Sequence, residues 1–183
     1  MSAWTDHVAK WRDCTACTLC EQRSNVVLAR GQVPCDVLFC GEAPGASEDA
    51  LGLPFVGPAG HLLDQIIERA LPPTVKYALT NLVCCFPAEA KARGDNEPEY
   101  SEIVACRPRL MEFITLAKPK LIVCVGSLAW NYVEHDAYGR VRGANVIQIV
   151  HPAAVLRMPL AQKQMAVQKA IVILRNAVDS MLQ

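Results

Sequence analysis

The sequence predicts an α/β fold, a mostly parallel sheet with helices on both faces, and three observations predict it. Short apolar runs alternate with segments of helical period along the chain, the order that builds parallel strands joined by crossover helices. One run, "KLIVCVG" (120–126), is apolar after its first residue, as a strand buried on both faces must be. Three of the runs end in unusual polar material, "GEAPG", "TN" followed by "CC", and "HP". In open α/β sheets, ligands bind beyond the carboxyl ends of the strands, so three distant segments point to one site.

The first thirty residues carry "CTACTLC" and no clear period, which predicts a short helix and then an irregular segment held by something other than core burial. "DVLFC" (36–40) is a strand closed by Gly41, and 46–58, rich in Gly and Pro, reads as loop. His61 to Ala70 places Leu62, Leu63, Ile66 and Ile67 on one helical face. Val75 to Cys85 reads as a second strand, Ile103 to Leu116 as a helix and Lys120 to Gly126 as the third strand. A helix follows from a Ser127 cap, "NVIQIV" (145–150) is the fourth strand, and an amphipathic helix from Ala161 to Leu182 comes last.

The 183 residues are expected to form a single domain, 1–183, with 1–34 a tethered amino-terminal segment. Equal numbers of basic and acidic side chains, 18 of each, argue against a globally basic nucleic-acid binder but leave room for a local basic face. No apolar run approaches the roughly 18 residues of a membrane span, and the amino terminus lacks a secretory layout. A cytoplasmic protein without membrane contact is expected. Nine cysteines, an odd number without a signal peptide, favour metal binding over a disulfide framework.

Cys14 and Cys17 form a C-x-x-C, in which one turn of backbone offers two thiolates to one centre. Cys20 extends the run, but Ser24 stands where a bacterial ferredoxin needs its next cysteine. The remaining ligands must come from afar. Cys85 ("CCFP") and Cys106 ("ACRP") sit at polar, Pro-flanked boundaries, whereas Cys35, Cys40 and Cys124 read as small buried hydrophobes. Four thiolates suit zinc or a [4Fe–4S] cluster, and spacing does not separate the two.

The order C-x-x-C, "GEAPGASED", "GLPFVGPAGHLLD", "TNLVCC", Cys106, "KPKLIVCVG" and "HPAAVLR" resembles the family 4, iron–sulfur uracil-DNA glycosylases, from Cys14 to Arg157. The resemblance implies a three-layer α/β/α sandwich around a four-stranded, mostly parallel sheet. It implies a structural [4Fe–4S] cluster on Cys14, Cys17, Cys85 and Cys106, with Cys84 as the neighbour that would exchange with Cys85. It also implies a monofunctional DNA-repair hydrolase that flips uracil from single- or double-stranded DNA and leaves an abasic site, working as a monomer.

Uracil shows an N3–H donor beside an O4 acceptor, and one side-chain amide matches both, whereas cytosine reverses the pattern. Asn81 is the candidate, against the ordinary reading of a turn-making Asn. Phe55 in "LPFVG" is expected to stack on the base, or else to anchor its loop in the core. His151 is the expected donor to O2 of the departing uracil, with Gly41 and Glu42 backbone amides assisting. Glu42 is assigned to the attacking water and the cationic sugar, while Glu48 and Asp49 share that role or cap the next turn. Leu156 and Arg157 would form the loop that enters the duplex, with phosphate contacts from Arg157, Arg23 and Arg30.

Three features bear on the expected chemistry and specificity. Ala43 occupies the place where the best-known members carry an Asp, which shifts the expected mechanism toward leaving-group stabilisation. Gly45 is too small to exclude the methyl group of thymine. The 86–105 segment is longer than expected and lacks the histidine with which a related branch becomes attached to DNA, so no adduct is expected. Action on another modified or deaminated base, a non-catalytic nucleic-acid binder and an electron-transfer module are the competing readings.

Overall fold

The computed structural model describes residues 3–88, 97–133 and 143–183. Helix α1 (Ala3–Trp11) and a 3₁₀ turn (Thr18–Glu21) lead to β1 (Arg30–Gly31) and β2 (Val37–Gly41). Next come α2 (Ala46–Leu51), α3 (Pro58–Ala70), β3 (Tyr77–Asn81) and α4 (Tyr100–Ala117). Strand β4 (Leu121–Val125), α5 (Ser127–Val133), β5 (Asn145–Ile149), α6 (Pro152–Leu156) and α7 (Leu160–Leu182) complete the order.

The sheet runs β1-β3-β2-β4-β5, and the four longer strands are parallel. Alternation along them separates two cores. Val37, Phe39, Leu121, Val123 and Val125 face α3 and α7, while Leu38, Cys40, Ile122 and Cys124 face α4 and α5. The α/β/α layering follows, because both faces of each central strand must be covered. Among the described residues no helix is long and apolar enough to cross a membrane.

Among the described residues the sheet has five strands where four are expected. The extra one, β1, is two residues long and antiparallel to β3, pairing Arg30 with Leu79, too short to show a period in sequence. The second strand stops at Asn81 rather than Cys85, because the Leu82 and Val83 amides turn to the Gly41 and Glu42 carbonyls at the end of β2. The expected loop at 46–58 contains α2. Its first turn forms because the Glu48 carboxylate accepts from the Gly45 amide at 3.0 Å, and Gly52 ends it at φ 72°.

Burial does more for the amino-terminal segment than its sequence indicates. Leu19, Val27 and Leu28 are buried, and His7 stacks on Trp4 and packs against Phe113 of α4. Glu112 of α4 accepts from Trp11 Nε1 at 3.2 Å and meets His7 Nδ1 at 2.7 Å. Helix α1 is therefore docked on α4 by rings and one carboxylate.

Helix α7 buries Ala170, Ile171, Leu174 and Val178, one stripe of an otherwise solvated helix. Leu174→Ala, at a fully buried position, is expected to cost about 2–5 kcal/mol in urea-unfolding measurements, whereas exposed Val172→Ala should cost under about 1 kcal/mol.

Candidate active site

Parallel pairing sets the strand ends in register. Gly41 lies beside Asn81, and Val125 beside Ile149. Beyond them opens a cleft of about 1130 Å³ whose lining includes Glu42, Phe55, Asn81, His151 and Arg157.

Two glycines let these side chains converge. A Cβ on Gly41 would stand 2.5 Å from both Asn81 Oδ1 and Phe55 Cζ, so only a bare backbone admits the amide and the ring together. A Cβ on Gly126, just after β4, would collide with Glu42 Oε1 and lie 3.2 Å from the His151 ring. Gly126 also sits at φ 101°, a conformation that disfavours any side chain.

Phe55 is 7 % exposed and joins the α3–α7 core while lining the cleft, so it both anchors its loop and contributes to the wall of the site. Its φ of 57° is left-handed, uncommon for an aromatic residue, and the surroundings hold it there. Arg30 donates to the Pro54 and Phe55 carbonyls at 2.7 and 3.1 Å and pairs with Asp64 at 2.7 Å. Glu48 accepts from the Val56 and Gly57 amides at 2.9 and 2.8 Å. Asp49 accepts from the Ser24 amide at 2.9 and 3.0 Å. Glu48 and Asp49 are thus engaged in holding loops, and Arg30 is a clamp on the Phe55 turn rather than a free phosphate contact.

Glu42 has the chemistry that the other two acids lack. Burial, reinforced by Glu97, raises its pKa from 4.5 to about 7. His151 begins α6, and its Nδ1 accepts the Ala153 amide at 3.1 Å. A nitrogen that accepts a hydrogen bond carries no proton, so the proton of the neutral ring sits on Nε2. Burial, with Arg157 nearby, lowers the His151 pKa to about 4, which keeps the ring neutral. At neutral pH this His is a donor without a charge. Leu156 is 37 % exposed, and Arg157 is exposed at the cleft mouth.

The cysteine side of the sheet lies directly behind β3. Cys84 and Cys106 Sγ are 3.5 Å apart, and Arg23 Nη1 reaches Cys85 Sγ at 3.3 Å, which engages the second arginine expected on phosphate. Cys14 and Cys17 belong to the same electrostatic neighbourhood, Cys17 interacting with both Cys14 and Cys106. None of the nine cysteines is joined in a disulfide. Among the described residues, no three metal-binding side chains close on a single ion.

Arg109 tests whether this cradle suits an anionic thiolate centre. Its side chain is 1 % exposed and gives Nη1 to Thr80 Oγ1 at 2.9 Å and Nη2 to the Asn81 and Leu82 carbonyls at 2.7 and 2.8 Å. Nη2 also lies 3.7 Å from Cys106 Sγ. Every one of those oxygens is uncharged, and a buried guanidinium needs a counter-charge. Without a metal, hydrogen bonding to neighbouring thiols and burial raise the Cys84 and Cys106 pKa values and keep those sulfurs protonated. Bound to a metal as thiolates they would supply the counter-charge, so the donor set fits a metal–thiolate group.

The structure therefore gathers Gly41, Glu42, Phe55, Asn81 and His151 at one cleft and places Cys14, Cys17, Cys84, Cys85 and Cys106 near one another in a separate cradle. Cys35, Cys40 and Cys124 lie in the core. Residues 89–96 of the long 86–105 segment lie outside the described residues. Arg109, Gly126, Glu97 and Lys169 also belong to these sites and escape a reading of motifs alone. Arg109 left one trace in sequence, as a charge on the stripe Cys106, Leu110 and Phe113.

A model of the uracil DNA glycosylase superfamily matches residues 29–175. The type-4 uracil-DNA glycosylase of Pyrobaculum aerophilum is 34% identical over 165 residues, 81% of this chain and 82% of that protein. Its namesake from Archaeoglobus fulgidus is 30% identical over 181 residues, 90% of this chain and 88% of that protein. The type-4 protein of Thermotoga maritima is 31% identical over 157 residues, with coverages of 80% and 79%.

The raised pKa of Glu42 has a consequence for stability. Between pH 4.5 and about 7 the folded chain keeps a proton that the unfolded chain releases, so its contribution is full below 4.5 and is lost as pH rises through 7. Glu42→Gln is expected to remove that slope, and its melting temperature should exceed the parent's at pH 8 but not at pH 4.5.

Proposed function

This chain belongs to the uracil DNA glycosylase superfamily, in its type-4 branch, and from that premise we propose that it excises uracil from DNA by hydrolysing the N-glycosidic bond. The observation that carries the proposal is the convergence of Asn81, Phe55, Glu42 and His151 on one cleft over Gly41 and Gly126.

The target nucleotide leaves the stack and its base enters the cleft. Asn81, on a backbone fixed by Arg109, takes the N3–H with its amide oxygen and gives its NH₂ to O4. Cytosine would leave both groups unpaired in a buried site, which costs more than a missing contact. Phe55 stacks against the base plane, its turn already locked by Arg30 and Glu48.

As the glycosidic bond breaks, electrons move onto the base and O2 becomes anionic. His151, neutral with its proton on Nε2, donates there without competing for the proton of a stronger acid. Glu42 faces the sugar that is becoming cationic and holds the water that attacks it. With Ala43 offering no second carboxylate, leaving-group stabilisation bears most of the work. The product is an abasic site in an uncut strand.

Leu156 fills the space left by the flipped base, and Arg157 holds a phosphate at the cleft mouth. The substrate is single- or double-stranded DNA, met by a monomer whose residues 1–183 form one domain, and the enzyme works in the cytoplasm.

The thiolate cradle holds a [4Fe–4S] cluster through Cys14, Cys17, Cys85 and Cys106. When bound, the cluster crosslinks the amino-terminal segment 1–34, the end of β3 and α4, and takes no chemical step. Cys84, whose Sγ lies 3.5 Å from that of Cys106, is the alternative to Cys85, and zinc is the alternative metal.

Oligonucleotides carrying a single U, T, C, hypoxanthine or 5-hydroxymethyluracil, followed by alkaline cleavage, test the activity. Scission confined to U is expected, with kcat reduced by roughly 10²–10³ in His151→Ala and DNA affinity little changed. No scission by metal-loaded protein would overturn the proposal. Iron assay and visible absorption of anaerobically purified variants test the ligands: Cys85→Ala should lose iron and Cys84→Ala keep it, and the reverse would move the ligand to Cys84.

A further inference from the structure

Arg109 has a second consequence. One guanidinium, fully buried, touches the cysteine cradle at Cys106 Sγ (3.7 Å) and the backbone of the base-reading strand end at the Asn81 and Leu82 carbonyls (2.7 and 2.8 Å). Its Nη1 holds Thr80 Oγ1 at 2.9 Å, and that hydroxyl in turn donates to the Leu28 carbonyl at 2.8 Å, back in the amino-terminal segment. Only Nε lacks a partner among the described residues.

We infer that Arg109 is a positioning residue that couples the cysteine cradle to the uracil pocket, so that occupation of either stabilises the other. The inference rests on the reading of this chain as a cluster-bearing uracil glycosylase and adds a linkage to it.

The physical reason is the rigidity of the fork. A planar guanidinium cannot shift toward the sulfur without lengthening its bonds to the carbonyls, because all its donors lie in one plane. A filled cradle fixes Cys106 and supplies the negative charge that keeps Arg109 in place. Arg109 then fixes the peptide of Asn81, whose side-chain amide must meet the base edge. Conversely, uracil held by Asn81 immobilises the strand end and resists the opening by which the cradle would release its metal. Coupling of this kind is reciprocal by thermodynamic necessity. The connection is short and physical, one side chain between two sites. Lys in place of Arg keeps the cation, but a single ammonium cannot span both carbonyls, the hydroxyl and the sulfur.

Iron release to a chelator, followed by absorbance with and without saturating free uracil, reads the coupling without turnover. In the wild-type protein, uracil should slow release about fivefold or more. Arg109→Lys should still load iron and bind uracil, more weakly, but the ratio of release rates should fall toward one. A residue with a merely structural role would speed release in both conditions and leave the ratio intact. Thr80→Val, isosteric and lacking the hydroxyl, should lower the ratio in part and serves if Arg109→Lys fails to fold. Wild-type protein that carries iron and binds uracil yet shows no protection overturns the inference, as does a wild-type ratio in Arg109→Lys. Wild-type protein that carries no iron or binds no uracil overturns the functional reading itself, and the coupling with it.

Discussion

The site depends on two missing side chains. Strands β2 and β4 are neighbours, and the chain carries a glycine where each one ends, at Gly41 and Gly126. The parallel register sets those ends side by side, and the absent Cβ atoms leave the volume into which Asn81, Phe55, Glu42 and His151 project. Any larger residue at Gly41 would push the amide or the ring aside. At Gly126 it would press on the carboxylate and the imidazole, in a backbone conformation already hostile to it. What both glycines contribute is the closeness of the groups around them.

Around that opening, the acids divide by hydrogen bonding rather than by position in sequence. Glu42, Glu48 and Asp49 stand within eight residues of one another, yet they differ in what their oxygens accept. Glu48 takes three backbone amides and Asp49 takes two residues' worth. Carboxylates satisfied in this way are spent as loop fasteners. Glu42 is left with burial and a like-charged neighbour, the conditions that hold a carboxyl near neutrality. His151 shows the complementary arrangement, a ring whose acceptor nitrogen is used internally and whose donor nitrogen is free to act. Acid and imidazole reach opposite ends of their ranges for the same cause, removal from water.

Legibility in the sequence followed the range of the interaction concerned. The α/β layering and the four parallel strands could be read from apolar periods, because burial on two faces writes itself into consecutive residues. The cleft could be read as well, since strand ends, glycines and polar residues lie together in short motifs. Helix α2 was hidden because its start depends on the Glu48 carboxylate turning back to the Gly45 amide, which resembles an ordinary Gly-Pro loop in sequence. The Arg30 clamp was hidden too, for its partners lie 24 to 34 residues away. An isolated arginine in an irregular segment gives no sign of whether it faces phosphate or carbonyl.

Arg109 shows most clearly why a buried charge is informative. Helix α4 has every reason to place an apolar residue at a position that is 1 % exposed on its sheet-facing side. Replacing a buried ion by a well-packed hydrophobe is often neutral or favourable for stability. A guanidinium there is explained by what its two terminal nitrogens do together: they join three backbone or hydroxyl oxygens at the end of β3 to a cysteine sulfur. No apolar side chain could fix the peptide of Asn81 in this way, and the carbonyls it satisfies are those released where β3 stops pairing and the chain turns toward the cysteines. The same few residues thus end the strand, aim the amide and face the thiols, which makes the cradle part of the pocket's construction rather than a remote brace.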